Sequence, residues 1–193
     1  MGAPMQTGSR RRRIAGSMIG VAGASFLAGI LFWSALGAGV AATNTEAFCT
    51  SCHAMRDNAY AEFQGSIHDS NRTGVRATCA DCHVPRDLVH EIADKVRASA
   101  QVYHALAGTI DTKEKFEARR QVLATRVWDT MRATQSRECR SCHAFESMSA
   151  GRQRPEAREA HERAMTAGKT CIDCHKGIAH FLPDEEATAP PGT

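Results

Sequence analysis

Residues 49–53 are Cys-Thr-Ser-Cys-His, and the same Cys-x-x-Cys-His pattern recurs at 79–83, 139–143 and 171–175. The four motifs contain every cysteine of the chain: Cys49, Cys52, Cys79, Cys82, Cys139, Cys142, Cys171 and Cys174. Two thiols at this spacing can each form a thioether with one vinyl group of a porphyrin, and the adjacent histidine can then ligate the iron. The pattern predicts four covalently bound haems c, with these motif histidines as iron ligands: His53, His83, His143 and His175.

Two other uses of paired cysteines explain this pattern less well. Structural zinc sites combine Cys-x-x-Cys pairs, two per metal, but they do not need a histidine directly after each pair. A disulfide framework is possible in an oxidising compartment, yet it also gives no reason for the histidines. The histidine after every pair therefore favours haem.

A long uncharged stretch follows four consecutive arginines near the N-terminus. Residues 10–13 are all arginine, and no other charge appears before Glu46. The apolar and small residues at 14–42 exceed the roughly twenty that cross a bilayer as a helix, and the arginines indicate the cytoplasmic side. The sequence predicts a cytoplasmic segment at 1–13, a single transmembrane anchor helix at 14–42 in the bacterial inner membrane, and a periplasmic remainder.

A cleaved secretory signal is the alternative for this segment, because Val40-Ala41-Ala42 resembles a signal-peptidase site. The apolar core of a signal is usually only about 7 to 15 residues long, and this stretch is much longer. Ser9-Arg10-Arg11 resembles the start of a twin-arginine signal, but the following residues do not complete that motif. We therefore predict an uncleaved anchor.

The charge distribution argues against a nucleic-acid partner. The whole chain has a formal net charge of +3, and the four N-terminal arginines exceed that sum, so the part after the anchor is slightly acidic. Haem propionates would add more negative charge. No basic stripe with interleaved aromatic residues is present, so we expect no nucleic-acid binding.

The remaining sequence predicts a mainly α-helical fold with much irregular structure, built around four haems. Residues 43–183 form the predicted periplasmic tetrahaem domain, and the tail at 184–193 has a composition typical of disorder. So short a domain around four porphyrins cannot build a conventional core, so the porphyrins are expected to be the core. The first two motifs begin 30 residues apart and the last two 32 residues apart, which predicts two dihaem halves from an internal duplication.

Three helices are predicted outside the anchor, and no stretch alternates as a strand would. Apolar residues recur at helical steps over 85–106. A capping-box pattern at 111–114 begins a second stripe that continues to Met131. A third, shorter helix begins at Pro155 and ends at Gly168.

Five histidines lie outside the motifs: His68, His90, His104, His161 and His180. A low-spin electron-transfer haem needs a second axial ligand, and bis-histidine haems have lower potentials than His/Met haems. These histidines are numerous enough for several bis-histidine sites, but their spacing alone does not select among them.

The residues around the motifs carry a family resemblance. They are Phe48-Cys-Thr-Ser-Cys-His-Ala-Met55, Gly74-Val-Arg-Ala-Thr-Cys-Ala-Asp-Cys-His-Val-Pro85, Ser136-Arg-Glu-Cys-Arg-Ser-Cys-His143 and Thr170-Cys-Ile-Asp-Cys-His-Lys-Gly-Ile-Ala-His180. From the anchor to about Pro183, the chain resembles the NapC/NirT family of membrane-anchored tetrahaem quinol dehydrogenases. Residues 108–118, in the spacer between the second and third motifs, are more similar to the NapC branch than to the branch that serves nitrite reductase.

That resemblance implies second axial ligands for three haems. It assigns His161 to the second haem, His180 to the third and His68 to the fourth. It also implies that the first iron is ligated by His53 or by Met55, with its other face open or weakly occupied.

An open first haem near the membrane is where the resemblance places quinol oxidation. Lys95 matches a family lysine that contacts the quinol, and Gln101 falls where relatives often carry a carboxylate. Oxidising a quinol releases two protons, and a carboxylate can accept one whereas glutamine cannot. We therefore expect Asp94, beside Lys95, or a haem propionate to take that role. His90 and His104 are expected to be structural.

The implied function is quinol oxidation followed by electron transfer to a periplasmic reductase, with nitrate reductase the first candidate. The expected partners are the quinol pool, that reductase and the lipid bilayer, and the quinol is menaquinol or ubiquinol. Two alternatives stay open: an anchored relay without quinol oxidation, and a donor to a nitrite, N-oxide or S-oxide reductase. A terminal reductase is not expected, because the sequence has no Cys-x-x-Cys-Lys variant.

Overall fold

The computed structural model describes the backbone of residues 7–183 and the side chains of residues 16–183. The predicted tail at 184–193 and the first residues of the predicted cytoplasmic segment lie outside that range. The chain divides into two compact units, Met1–Thr43 and Asn44–Thr193. Residues 7–183 contain helices and turns but no strand, so the predicted mainly α-helical fold class is confirmed.

The described part of the first unit is one helix, α1 (Thr7–Ala42). An 18-residue window within Gly16–Ala42 has a mean hydropathy of 1.9, and no side chain of this stretch is buried. Large apolar side chains such as Phe26 and Trp33 are exposed all around it. A continuous apolar surface of this length is suited to lipid rather than to water. Between residues 16 and 183, this is the one helix long and apolar enough to cross a membrane.

The second unit is built from short helices joined by turns and irregular segments. Its α-helices are α2 (Glu46–Cys49), α3 (Ala61–Phe63), α4 (Cys79–His83), α5 (Leu88–Leu106), α6 (Lys113–Glu117), α7 (Arg120–Ala133), α8 (Arg137–Arg140) and α9 (Pro155–Thr166). A π-helical turn, Met55–Tyr60, precedes α3. Short 3₁₀ turns occur at Phe145–Ser147, Ala150–Arg152 and Cys171–Asp173.

The second unit has almost no apolar core of its own. Among residues 16–183 the buried apolar side chains are Ala54, Phe63, Pro85 and Ile172. So small a core cannot stabilise a domain of this size by hydrophobic burial. This packing agrees with the expectation that prosthetic groups supply the core.

The helices differ from prediction mainly at their ends. Helix α5 begins at Leu88 rather than at 85, because the Asp87 side chain caps it by accepting the His90 N–H at 3.0 Å. The predicted helix after Thr112 forms two helices, because a two-residue turn at 118–119 separates α6 from α7. Helix α9 begins at Pro155 as predicted, and a left-handed glycine, Gly168 with φ of +65°, follows its end.

Candidate haem centres

The first and third motifs share one local hydrogen bond. The Ser51 hydroxyl donates to the Phe48 carbonyl at 2.7 Å, and the Ser141 hydroxyl donates to the Glu138 carbonyl at 2.6 Å. In both motifs the acceptor residue directly precedes the first cysteine. The bond closes a tight helical turn, which keeps the two cysteines on one side of it.

The second and fourth motifs share a different bond. The Asp81 carboxylate accepts the backbone N–H of Thr78 at 2.8 Å, and the Asp173 carboxylate accepts that of Thr170 at 2.9 Å. Each threonine directly precedes the first cysteine and caps the turn that carries the motif. The first motif thus resembles the third and the second resembles the fourth, as expected if a dihaem unit was duplicated. The duplication stays a prediction.

Three motif histidines face a histidine from outside the motifs. The ring centroids are 6.2 Å apart for His68 and His143, 6.1 Å for His83 and His180, and 5.9 Å for His161 and His175. Imidazole nitrogens bind a first-row metal such as zinc at about 2.0–2.1 Å, so two imidazoles on one metal have centroids roughly 6 Å apart. The three pairs therefore fit an iron held between two rings, and we propose them as axial pairs.

This pairing differs from the one that the family resemblance implied. All three expected partners change: His180 faces the second motif instead of the third, His68 the third instead of the fourth, and His161 the fourth instead of the second. The third change has a simple physical reason. His161 lies on helix α9, and only a short turn at Gly168 separates the end of this helix from the fourth motif. His161 therefore contacts the motif that is next in the chain.

The environment of His83 favours the neutral imidazole that a metal requires. Desolvation by the surrounding protein, and secondly the neighbouring His180, lower the pKa of His83 to about 4. His83 nevertheless keeps accessible surface. The exposed part of the ring leaves space for a flat apolar group to cover it.

A hydrogen bond on the remaining ring nitrogen orients His161. Its Nδ1 donates to Oε1 of Gln153 at 2.8 Å. Metal-binding histidines usually make such a bond with one nitrogen, which leaves the other for the metal. The bond to Gln153 leaves Nε2 of His161 for a metal, and the ring lies 5.9 Å from that of His175.

The first motif differs from the other three. Nε2 of His53, the atom that would ligate iron, instead donates to the Asp111 carbonyl at 3.0 Å. Within residues 16–183 no second histidine ring stacks against His53. Met55 is 41% exposed and begins the π-helical turn, a conformation often found at functional sites. Of the two predicted ligands, we propose Met55 for the first iron.

The two other histidines make local contacts. His90 pairs with Asp87 at 2.5 Å at the start of α5, and Nδ1 of His104 lies 3.2 Å from the Thr109 hydroxyl. Neither ring faces one of the motif histidines among the described contacts. These contacts suit the structural roles expected for both residues.

A polar cluster joins Lys95 to the beginning of the second unit. Lys95 Nζ donates to Oδ1 of Asn44 at 2.6 Å, and Nδ2 of Asn44 donates to Oε1 of Glu91 at 2.5 Å. The Lys95 ammonium is also 3.9 Å from that Glu91 oxygen. The Glu91 and Lys95 side chains are only 10% and 28% exposed. We call these three residues the Asn44 cluster.

The carboxylate in this cluster is not the expected one. Asp94 forms an ion pair with Arg97 at 2.5 Å, and Gln101 is exposed. Glu91 was missed by the sequence analysis. Its spacing of four residues before Lys95 was the available signal, because such residues meet on one helix face.

A lipid-compatible helix followed by a helical unit with four haem-attachment motifs defines a membrane-anchored multihaem c-type cytochrome. The model of the NapC/NirT cytochrome c family, N-terminal region, matches residues 11–185. The chain therefore belongs to the NapC/NirT family, as the sequence predicted.

Three relatives illustrate this membership. The denitrification system component NirT of Stutzerimonas stutzeri is 55% identical, over 87% of this chain and 84% of that one. The cytochrome c-type protein NapC of Escherichia coli K12 is 48% identical, over 86% and 82%. A putative tetraheme cytochrome-c type protein of Allochromatium vinosum is 50% identical, over 84% and 88%. Haem c as the cofactor and the tetrahaem fold class agree with these relatives.

Proposed function

We propose that this chain oxidises a membrane quinol and delivers the electrons to a periplasmic reductase. The observation that carries the proposal is the Asn44 cluster. Asn44 is the second residue after Ala42, where α1 ends, and consecutive Cα atoms are about 3.8 Å apart. Covalent geometry therefore keeps the cluster close to the end of the anchor, where a quinol headgroup would leave the bilayer.

The cluster has the groups that quinol oxidation needs. A quinol loses two electrons and two protons as it becomes a quinone. The Lys95 ammonium can donate a hydrogen bond to a quinol oxygen, and the Glu91 carboxylate can accept one proton while water takes the second. Haems bound at the four motifs would accept the electrons one at a time.

We place the N-terminus in the cytoplasm and the second unit in the periplasm. The arginines at residues 10–13 support this orientation through the positive-inside rule. Attachment of haem to reduced thiols after export also suits a periplasmic second unit.

Nitrate reductase is the proposed electron acceptor. The support is 48% identity with NapC, together with the NapC-like spacer at 108–118. A reductase of denitrification is the second candidate, favoured by 55% identity with a denitrification system component.

Anaerobic mixing with a reduced quinol tests the proposal. The tetrahaem protein in lipid nanodiscs is mixed separately with menaquinol and ubiquinol analogues while haem absorbance is followed. We expect rapid haem reduction by at least one analogue. If dithionite reduces the haems and neither quinol does, the chain is a relay fed by another protein.

The acceptor is tested with the quinol-reduced protein. It is mixed with purified periplasmic nitrate reductase and nitrate, or with a periplasmic nitrite reductase and nitrite. Reoxidation of the haems only in the nitrate mixture supports the first candidate. Reoxidation only in the nitrite mixture would assign the chain to denitrification.

A further inference from the structure

A buried ion pair lies next to His180, the last histidine of the chain. Nη1 of Arg120, the first residue of α7, donates to Oε2 of Glu62 at 3.0 Å, and its Nη2 donates to Oε1. The two side chains are only 7% and 8% exposed. Arg120 also pairs with Glu117 and stacks on the Phe116 ring at 5.2 Å. We call Glu62 and Arg120 the buried pair.

The buried pair holds the backbone of the residue next to His180. The Phe181 N–H donates to Oε2 of Glu62 at 3.0 Å, and the Phe181 carbonyl accepts from Nη1 of Arg120 at 3.4 Å. Both backbone polar groups of Phe181 are thus satisfied by one ion pair. Because Phe181 follows His180 directly, the pair restricts where the imidazole can lie.

The imidazole of His180 is left with an unsatisfied nitrogen on the side of Glu62. Within residues 16–183 its buried Nδ1 atom has no hydrogen-bond partner of normal geometry, and it lies 3.9 Å from Oε2 of Glu62. The ring also faces His83. Metal-ligating histidines almost always donate the N–H of the second ring nitrogen to a carboxylate, a backbone carbonyl or water. The backbone of Ala59 also interacts with this imidazole and is the competing acceptor.

We propose that Glu62 is a positioning residue that accepts the Nδ1 proton of His180 and lowers the reduction potential of the haem at 79–83. A carboxylate on the second nitrogen makes the imidazole a stronger electron donor, which stabilises ferric iron over ferrous iron. Arg120 limits the effect by neutralising part of the carboxylate charge. The proposal depends on the His83–His180 axial pair and is independent of quinol oxidation.

Glu117 provides a matched control for Glu62. Both carboxylates pair with Arg120, but Glu62 also contacts Phe181 and approaches His180. Glu62→Gln removes the charge while its amide oxygen can still accept the Phe181 N–H. Glu117→Gln removes one negative charge beside the same arginine without altering the carboxylate that faces His180.

The test is a redox titration of the tetrahaem protein followed by electron paramagnetic resonance. We expect Glu62→Gln to raise the equilibrium constant for reduction of one haem about tenfold, or about 59 mV for one electron. The g values of that one low-spin signal should change as well. Glu117→Gln should leave all potentials unchanged. Unchanged potentials in Glu62→Gln would show that Glu62 only holds the backbone and that Ala59 takes the proton.

A second variant keeps the proposal testable if Glu62→Gln does not assemble with four haems. Glu62→Asp retains the ion pair but withdraws the carboxylate by one methylene from His180. We expect a smaller rise in the potential of the same haem. No change, or an equal change in all haems, would overturn the proposal.

Discussion

The Nζ atom of Lys95 lies 2.6 Å from Oδ1 of Asn44, so the middle of helix α5 is hydrogen-bonded to the first residue of the second unit. The same asparagine donates to the Glu91 carboxylate. One short side chain, two residues after the end of α1 in the sequence, therefore joins a cation and a carboxylate. This juxtaposition is the basis for the quinol site that we propose.

Replacing Lys95 should slow quinol oxidation selectively. A hydrogen bond to a charged group contributes about 1.5–3 kcal/mol, so we expect Lys95→Gln to reduce the rate of haem reduction by quinol about 10- to 100-fold. The dithionite-reduced spectrum should be unchanged. Lys169→Gln, which removes an exposed lysine, is the control. Equal rates in the two variants would remove Lys95 from the site.

The proton acceptor can be assigned by comparing two carboxylates of helix α5. General bases contribute about 10²- to 10⁴-fold to rate, so Glu91→Gln should slow quinol oxidation by about 100-fold or more. Asp94→Asn should have little effect, because its carboxylate pairs with Arg97. Stopped-flow haem absorbance measures both variants. A larger loss in Asp94→Asn would restore the assignment that the sequence suggested.

Candidate haem ligands could be proposed from sequence, but which histidine rings face each other could not. Motif spacing predicted the attachment cysteines, and the resemblance implied His68, His161 and His180 among five candidate histidines. Which motif each one faces depends on how the chain turns after α9 and where its C-terminal segment packs. Those turns depend on tertiary contacts, such as the Phe181 backbone bonds to Glu62, that no local pattern encodes.

Burial was the other property that the sequence did not predict. Glu62 and Glu91 are carboxylates, for which exposure is the normal outcome. The structure buries them because Arg120 and Asn44, both distant in sequence, supply hydrogen bonds. Helix α5 could be located from its apolar periodicity, whereas the partners of its polar face could not.

Each of the three histidines that lie outside the motifs and face a motif histidine should be needed by one haem. His68→Ala, His161→Ala and His180→Ala should each convert one low-spin haem to a high-spin species, visible by electron paramagnetic resonance. The controls are His90→Ala and His104→Ala, whose rings make only local contacts. Loss of a low-spin signal in either control would refute the ligand set.

The cap of helix α5 should give a pH-dependent contribution to stability. The hydrogen bond from the His90 N–H is the main cause that lowers the pKa of Asp87 below its ordinary 3.8. A lowered carboxylate pKa stabilises the fold fully above that ordinary value, and the stabilisation is lost as pH falls through the folded value.

Asp87→Ala should therefore lower the thermal midpoint at pH 7, measured by circular dichroism. The difference from the native chain should shrink as the pH falls below about 3.8. Asp87→Asn keeps a good N-cap without the charge, so it should cost less and lack this pH dependence. A difference between the native chain and Asp87→Ala that is constant with pH would contradict the capping role.

An electron paramagnetic resonance spectrum of the oxidised tetrahaem protein tests the central claim most directly. Three histidine pairs and a first motif whose histidine is bonded to Asp111 predict three low-spin bis-histidine signals and a fourth haem with a distinct, non-bis-histidine signal. Spin quantitation against total haem iron gives the ratio of three to one. Four equivalent low-spin bis-histidine signals would contradict the account.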